Sequence, residues 1–276
     1  MALIDVAARA KCAAVKFQCR DVSGLYSSAL LAQPYDNENS YGKTYGEHRE
    51  ALEFSPAQIR KCFDAAREHG IHAFGTPFDE RSADLLSHQM VPAFKVHSGG
   101  LTDTALLRAV ARFRLPVLVS TGGGALDDIK RAVDTLGDCP HALLHCTAAY
   151  PLKSEDANLR AILTLRNEFP DTVIGFSSHS PGLAFSLIAY AFGARIIEHH
   201  ITLNRASKGT DHAFSLEPKG LAQLVEDLEK LRLALGDGVK RFLPCEVAPI
   251  SKMRRWMIGG KWVIGTAEEQ EPKFHA

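Results

Sequence analysis

Short apolar, β-rich runs recur along this chain and alternate with amphipathic stretches of helical spacing. Seven such runs predict strands, and they are Ala13 to Gln18, His72 to Pro77, Ala93 to Ser98, Pro116 to Thr121, Ala142 to Thr147, Val173 to Phe176 and Arg195 to Ile197. The stretches between them predict helices, among them Ala57 to His69, Leu101 to Phe113, Leu126 to Leu136 and Asn158 to Phe169. Alternating strands and helices indicate a parallel sheet covered on both faces.

The strand count and the start of the chain bear on the fold class. Seven strands are one short of a closed eight-stranded barrel. The helical pattern of Leu3 to Ala10 precedes the first of them. We therefore expect an α/β fold, a TIM-type (β/α) barrel that is missing its first strand. A truncated start, a divergent sequence and an incomplete gene model are explanations that the pattern leaves open.

The last part of the chain differs from the rest. Leu221 to Leu235 predicts a final helix, and Phe242 to Glu246 is typical of a linker. The acidic run Glu268 to Pro272 has the composition of a disordered segment. We expect a barrel domain over residues 1–240 and a linker-like, disordered tail over residues 241–276.

Composition narrows the classes of partner. Lys plus Arg and Asp plus Glu are both 32 in number, so the net charge of +0 offers no electrostatic case for nucleic acid or a membrane. The six cysteines form no Cys-x-x-Cys pair, which favours free thiols in a reducing cytosol. Asp5, Arg9 and Lys11 interrupt the first apolar stretch, so a signal peptide or spanning helix is not expected there. These observations predict a soluble cytoplasmic protein.

Two of the apolar runs end in residues that can bind metal. One continues into Ser177, Ser178 and His179, and the other into Glu198 and His200. Neutral imidazole is a common ligand of divalent transition metals, and barrel enzymes keep their chemistry at the C-terminal ends of their strands. A strand-end histidine is also often a structural residue, which is the reading we prefer for His145.

Further motifs follow the predicted strands in order. They are Lys16-Phe17-Gln18, Thr76-Pro77-Phe78-Asp79, Phe94 to Gly99, Ser120-Thr121-Gly122, His145-Cys146-Thr147, Glu155 to Arg160, Gly209 to His212 and Ser215 to Pro218. Together they resemble the signatures of the sialic acid synthase family, which condenses phosphoenolpyruvate with an N-acetylated mannosamine. The run Tyr41 to His48 is most similar to the animal-type branch. The resemblance extends from residue 1 to about Glu246.

The resemblance implies a role for each matching residue. The positions that it assigns to phosphoenolpyruvate are Lys16, Thr76, Lys95, Ser98, Ser120 and Ser177. It assigns a manganese ion, or another divalent ion such as magnesium, to His179 and His200, and the sugar to Gln18, Tyr150 and Asp211. Lys95 and Glu198 are the expected catalytic residues, with Glu198 beside the metal. The implied product is a sialic acid or its 9-phosphate, and the implied assembly is a homodimer.

The residue types support a phosphoenolpyruvate pocket by themselves. This ligand carries a phosphate and a carboxylate, which need cations and hydrogen-bond donors on rigid strand ends. Lys95 lies inside an apolar run, and a buried lysine without an anionic partner costs several kcal/mol, so we expect the ligand to be its counter-ion. Ser98 and Ser120 precede turn-like segments and are equally typical of caps or turns.

Departures from the family pattern motivate two alternatives. The family's first-strand glutamate and its antifreeze-like C-terminal domain have no counterpart here, and His97 stands where a glycine is usual. The first alternative is a truncated, catalytically impaired homologue that binds ligand or pairs with a full-length paralogue. The second is a metal-dependent hydrolase, against which Lys16 and Lys95 argue.

Overall fold

The computed structural model describes residues 1–150 and 152–265. Its main sheet contains seven parallel strands in chain order, each paired with the next. The strands are β1 (Ala14–Cys19), β2 (His72–Pro77), β3 (Phe94–Val96), β4 (Val117–Ser120), β5 (His141–His145), β6 (Val173–Ser178) and β7 (Ile196–His199). All seven predicted strands are confirmed, with ends that shift by a few residues.

Helices follow the strands and cover the sheet. They are α1 (Ala2–Arg9), α2 (Val22–Leu25), α3 (Ser28–Leu31), α4 (Tyr45–Leu52), α5 (Pro56–Glu68), α6 (Glu80–Ser87), α7 (Thr104–Ala111), α8 (Leu126–Leu136), α9 (Ala161–Glu168), α10 (Ala184–Ala191) and α11 (Pro218–Ala234). The arrangement is that of a TIM-type α/β barrel, as the sequence predicts.

Helix α5 shows how local sequence sets an element. The Ser55 hydroxyl accepts a hydrogen bond from the backbone N–H of Gln58, whose side chain accepts one from the backbone N–H of Ser55. Pro56 follows at the first helical position, where its missing N–H costs nothing. Ile59 and Phe63 then lie on one face, four residues apart, and are buried against the sheet.

The core holds the strand ends in place. Phe94, Val96, Leu143 and Phe176 are almost completely buried. Burial of each such side chain contributes about 1.5–3 kcal/mol. Strand β3 is buried at all three of its positions, including Lys95. The apolar core therefore supplies a rigid frame from which polar side chains emerge at the C-terminal edge.

The loops that follow the two outer strands contact each other, which shows that the sheet curls. The Tyr41 hydroxyl, after β1, donates to the backbone oxygen of Lys208, after β7, at 2.6 Å. Leu216 forms a parallel bridge with Ile201 just beyond β7. Within the described ranges, β1 and β7 each pair with one other strand of the sheet. The missing first strand stays a prediction.

Among the described residues, 234–265 form a second unit. It contains α12 (Val247–Ser251) and the antiparallel strands β8 (Trp256–Ile258) and β9 (Lys261–Val263). Gly259 and Gly260 both have positive φ, as a two-residue hairpin turn requires. The described part of the tail is thus more regular than we expected from its sequence, while the acidic run 268–272 lies outside the described residues. No helix in the described ranges has the length and apolarity needed to span a bilayer.

Candidate active site

Two lysines, one in β1 and one in β3, bond to hydroxyls on the neighbouring strands. The Lys16 ammonium at β1 donates to the Thr76 hydroxyl at β2 over 2.9 Å. The Lys95 ammonium at β3 donates to the Ser120 hydroxyl at β4. These four residues were all assigned to one ligand by the sequence. The structure joins them in two hydrogen-bonded pairs on four consecutive strands.

Lys95 is buried and already has partners in the protein. Its side chain is 3% exposed, and its Nζ lies 3.2 Å from the Val96 carbonyl oxygen and 3.9 Å from Glu198 Oε1. Burial lowers the pKa of Lys95, and the Glu198 charge opposes this effect. Our expectation that the ammonium lacks an anionic partner in the protein was wrong, because the curl of the sheet brings β7 to face β3.

Glu198 is a half-buried carboxylate that stays ionised. Its Oε1 accepts a hydrogen bond from the Ser177 hydroxyl at 2.9 Å. Burial by itself raises the pKa of Glu198, but Lys95, Lys16 and the Ser177 hydrogen bond outweigh it and lower the pKa to about 2. The negative charge of Glu198 therefore offsets one of the two lysine charges.

The two strand-end histidines lie together at the other side of the mouth. The ring centroids of His179 and His200 are 5.5 Å apart. The buried Phe214 ring contacts both, at 5.8 and 5.2 Å. Tyr150 lies 4.3 Å from the His179 ring, and Asp211 Oδ2 lies 3.6 Å from His200 Nδ1. The proposed sugar residues Tyr150 and Asp211 thus flank the pair.

The imidazoles are in a state that suits a metal ion. His179 Nδ1 lies 3.1 Å from the Thr147 carbonyl oxygen, which can only accept, so Nδ1 carries the hydrogen and Nε2 keeps its lone pair. Burial lowers the pKa of both rings, that of His200 to about 4. Across the described ranges, no three His, Cys, Asp or Glu side chains group closely enough to hold a metal by themselves. The two histidines could supply two of the coordination positions of a metal ion, and the other positions would be filled by substrate or water.

Two other histidines near the edge, His145 and His199, are structural. His145 Nε2 bonds the Ala157 backbone oxygen at 2.9 Å, which agrees with the structural reading. His199 points away from His200, and its Nε2 lies 2.6 Å from the Ser186 hydroxyl on α10. This orientation follows from the alternation of side chains along a strand.

Ser98 and Gln18 lie at the same edge. Ser98 begins a 3-10 turn after β3, and its hydroxyl contacts the Cys146 sulfur at 3.6 Å. A Cβ on Gly122 would come within 2.6 Å of the Ser98 hydroxyl, so only glycine permits this approach of the two loops. Gln18 is exposed at the end of β1 and accepts a hydrogen bond from Arg20.

Sequence reasoning missed three contributors to this site. They are Phe214, whose buried ring contacts both histidines, and the ion pair of Arg20 with Glu53. The position of Phe214 between two recognised motifs was the available signal for that residue. Nothing local distinguishes Arg20 or Glu53 from surface charges.

The fold and the site together define a class of protein. A curled parallel sheet with two lysines, a carboxylate and two imidazoles towards its C-terminal edge has the layout of a TIM-type barrel with a candidate active site at the usual face. The NeuB family profile matches residues 3–240. The chain belongs to the NeuB family.

Several of its relatives are acidic-sugar synthases by name. The chain is 39% identical to the N-acetylneuraminate-9-phosphate synthase of Mus musculus over 266 residues, which is 92% of this chain and 74% of that protein. It is 32% identical to the N,N'-diacetyllegionaminic acid synthase of Campylobacter jejuni over 267 residues, 94% of this chain and 79% of that one. The crystal structure of the N-acetylneuraminic acid synthetase of Leptospira borgpetersenii matches with a TM-score of 0.77 at 33% identity, over 90% of this chain and 83% of that chain.

Proposed function

We propose that this protein condenses phosphoenolpyruvate with N-acetylmannosamine or its 6-phosphate, which gives a sialic acid or its 9-phosphate and releases phosphate. The observation that carries the proposal is the charge balance at the strand ends. The ammonium groups of Lys16 and Lys95 face one carboxylate, Glu198. A partly buried site with excess positive charge is stabilised by an anionic ligand.

The first pairs of strands would bind phosphoenolpyruvate. Lys16 and Lys95 pair with its phosphate and carboxylate, and the neighbouring hydroxyls donate to the same oxygens. Those hydroxyls belong to Thr76, Ser98, Ser120 and Ser177. Because Lys16 and Lys95 are already held by hydrogen bonds, they bind the ligand with little loss of side-chain entropy.

The histidine pair would hold the metal. His179 and His200 are the ligands that we propose for a manganese ion, or for another divalent ion such as magnesium. When bound, the ion supplies Lewis-acid polarisation of the sugar carbonyl. Gln18, Tyr150 and Asp211 orient the sugar so that its carbonyl carbon faces the enol carbon of phosphoenolpyruvate.

The reaction forms one carbon–carbon bond and one carbon–oxygen bond, and it breaks another carbon–oxygen bond. The CH₂ carbon of phosphoenolpyruvate joins the sugar carbonyl carbon, and a water oxygen bonds to the former enol carbon. Phosphate leaves with the bridging oxygen, the water oxygen stays as the keto oxygen, and the two water protons go to the new sugar hydroxyl and to the phosphate. Lys95 stabilises the charge that develops on the departing group. Glu198, ionised and 3.9 Å from the ammonium, keeps Lys95 protonated and in place.

A direct assay tests the proposal. The protein is incubated with manganese, phosphoenolpyruvate and N-acetylmannosamine, phosphorylated or not, and phosphate and nonulosonic acid are quantified. We expect both products in equal amounts, with turnover greater for one form of the sugar. Release of neither product from folded, metal-loaded protein contradicts the proposal. Measurable affinity for phosphoenolpyruvate would also distinguish the proposed synthase from a metal-dependent hydrolase, which needs no pocket for this ligand.

The outer strands favour a second candidate, an impaired homologue that binds ligand or pairs with a longer paralogue. In the part of the chain that the structure describes, β1 and β7 each have one strand partner. Exposed strand edges are sites for pairing with another chain. Light scattering with the same assay decides between the two. Turnover by a clean monomer rules out the second candidate, and a protein that binds phosphoenolpyruvate without turnover supports it.

A further inference from the structure

The orientation of the Gln18 carboxamide is set by a neighbouring arginine. Arg20 donates from a terminal nitrogen to Gln18 Oε1 at 2.6 Å. A guanidinium has only donors, so the atom that faces it must be the amide oxygen. The amide nitrogen of Gln18 therefore points away from Arg20, and it has no hydrogen-bond partner among the described residues. Gln18 is exposed at the mouth, so this nitrogen is accessible to a ligand.

Arg20 itself is held from several sides. Its other terminal nitrogen donates to Glu53 Oε1 at 2.6 Å, and Glu53 Oε2 accepts from the Arg20 backbone N–H at 3.1 Å. Its guanidinium carbon lies 3.9 Å from the centre of the Phe78 ring. The Arg20 side chain is only 10% exposed. A guanidinium that is paired, stacked and buried cannot turn to follow a mobile amide.

We infer that Arg20 is a positioning residue that makes Gln18 an obligatory hydrogen-bond donor into the barrel mouth. The ligand atom that Gln18 meets is then an acceptor oxygen, such as the N-acetyl carbonyl or a hydroxyl of the sugar. The identity of that ligand rests on the proposed function, whereas the orientation of the amide does not. Glu53 and Phe78 act on Gln18 only indirectly, because they hold the Arg20 side chain in place.

A nuclear magnetic resonance experiment tests the orientation without any substrate. The side-chain amide signal of Gln18 in nitrogen-15-labelled protein is assigned by its loss in Gln18→Glu. We expect restricted motion of this amide in the unaltered protein and increased motion in Arg20→Met. Arg112→Met, which removes a surface arginine paired with Asp84, is the matched control and should leave the Gln18 signal unchanged. Equal mobility of the amide in the unaltered protein and in Arg20→Met overturns the inference.

Kinetics then test the consequence for the ligand. Arg20→Met should raise the KM for the sugar by roughly 3- to 10-fold. Without Arg20, the Gln18 side chain loses conformational entropy when the sugar binds, and this loss weakens binding. The KM for phosphoenolpyruvate should stay unchanged. In a Gln18→Ala background, Arg20→Met should have no further effect on the sugar KM, since it acts through Gln18.

The outcomes separate this inference from the proposed function. If the unaltered protein neither binds nor converts the sugar, the proposed function fails, and the amide mobility still decides the role of Arg20. If turnover is present but Arg20→Met changes both KM values equally and lowers the unfolding midpoint, Arg20 is a structural residue and the inference is wrong.

Discussion

The mouth of the barrel has two halves that are built differently. The cationic half, formed by Lys16, Thr76, Lys95, Ser120 and Glu198, is a set of polar groups that bond to one another. The histidine half, formed by His179, His200, Phe214, Tyr150 and Asp211, is held mainly by ring contacts. Tyr150 is 54% exposed, whereas Lys95 is 2% exposed. The first half is preorganised by its own charges, and the second keeps lone pairs available for a ligand from outside.

The largest effect is expected from the histidine half. His179→Ala or His200→Ala should lower manganese affinity by more than the roughly 10- to 100-fold that loss of an outer-shell partner causes. The circular dichroism spectrum should stay nearly unchanged, because residues at this barrel face serve function more than packing. His72→Ala, at the opposite end of a strand and exposed, is the control and should keep its metal. Full metal content in both variants would refute the assignment.

The cationic half should respond in both binding and stability. Lys95→Met should weaken phosphoenolpyruvate binding by about 10- to 100-fold, since a charge-assisted hydrogen bond is lost. It should also destabilise the ligand-free protein by about 1–3 kcal/mol, because Glu198 loses its nearest counter-charge. Isothermal titration calorimetry and urea unfolding measure the two effects.

The matched control for this change is Lys130→Met. Lys130 pairs with Glu168 at 3.0 Å on the surface, where its side chain is 48% exposed. Surface pairs contribute little, so neither affinity nor stability should change much. If Lys95→Met leaves phosphoenolpyruvate affinity intact, Lys95 is only a structural partner of Glu198 and the pocket lies elsewhere.

A double-mutant cycle sharpens the contrast. Glu198→Gln and Lys95→Met should each destabilise the protein, and the double mutant should be more stable than the sum of the two predicts, by about 0.5–3 kcal/mol. The reason is that each single change leaves a charged group without its partner. Combining His200→Ala with Lys95→Met should give additive losses of stability, since those side chains belong to different halves. If the losses of stability from Glu198→Gln and Lys95→Met are strictly additive, the two side chains do not stabilise each other.

The smallest effect concerns the loop contact that spans the mouth. Tyr41→Phe removes the hydrogen bond to the Lys208 carbonyl, and we expect a loss of about 0.5–1.5 kcal/mol. The Gly209 amide, which donates to Asn39 Oδ1 at 2.9 Å, should exchange its hydrogen faster. Tyr190→Phe is the control, because no hydrogen bond of its hydroxyl is found among the described residues. Unchanged exchange at Gly209 would show that Tyr41 does not hold this loop.

The sequence alone determined the strands and the types of residue at their ends. Apolar runs such as Val173 to Phe176 are local signals, and the rule that parallel strand ends meet at one edge converts them into a predicted site. His179 and His200 were placed together on that basis, and the structure brings their rings within 5.5 Å. The family resemblance of the ordered motifs was also a property of the sequence, and the NeuB profile confirms it.

Only the tertiary structure decided which of these residues pair. Glu198 faces Lys95 because the sheet curls, and curl depends on the summed twist of seven strands rather than on any local run. Arg20 pairs with Glu53 because the chain after α4 returns to the chain after β1, a path that no periodic pattern encodes. Residues that are distant in the chain meet only when the loops between them bring them together. Which of them pair is therefore determined by the folded chain as a whole.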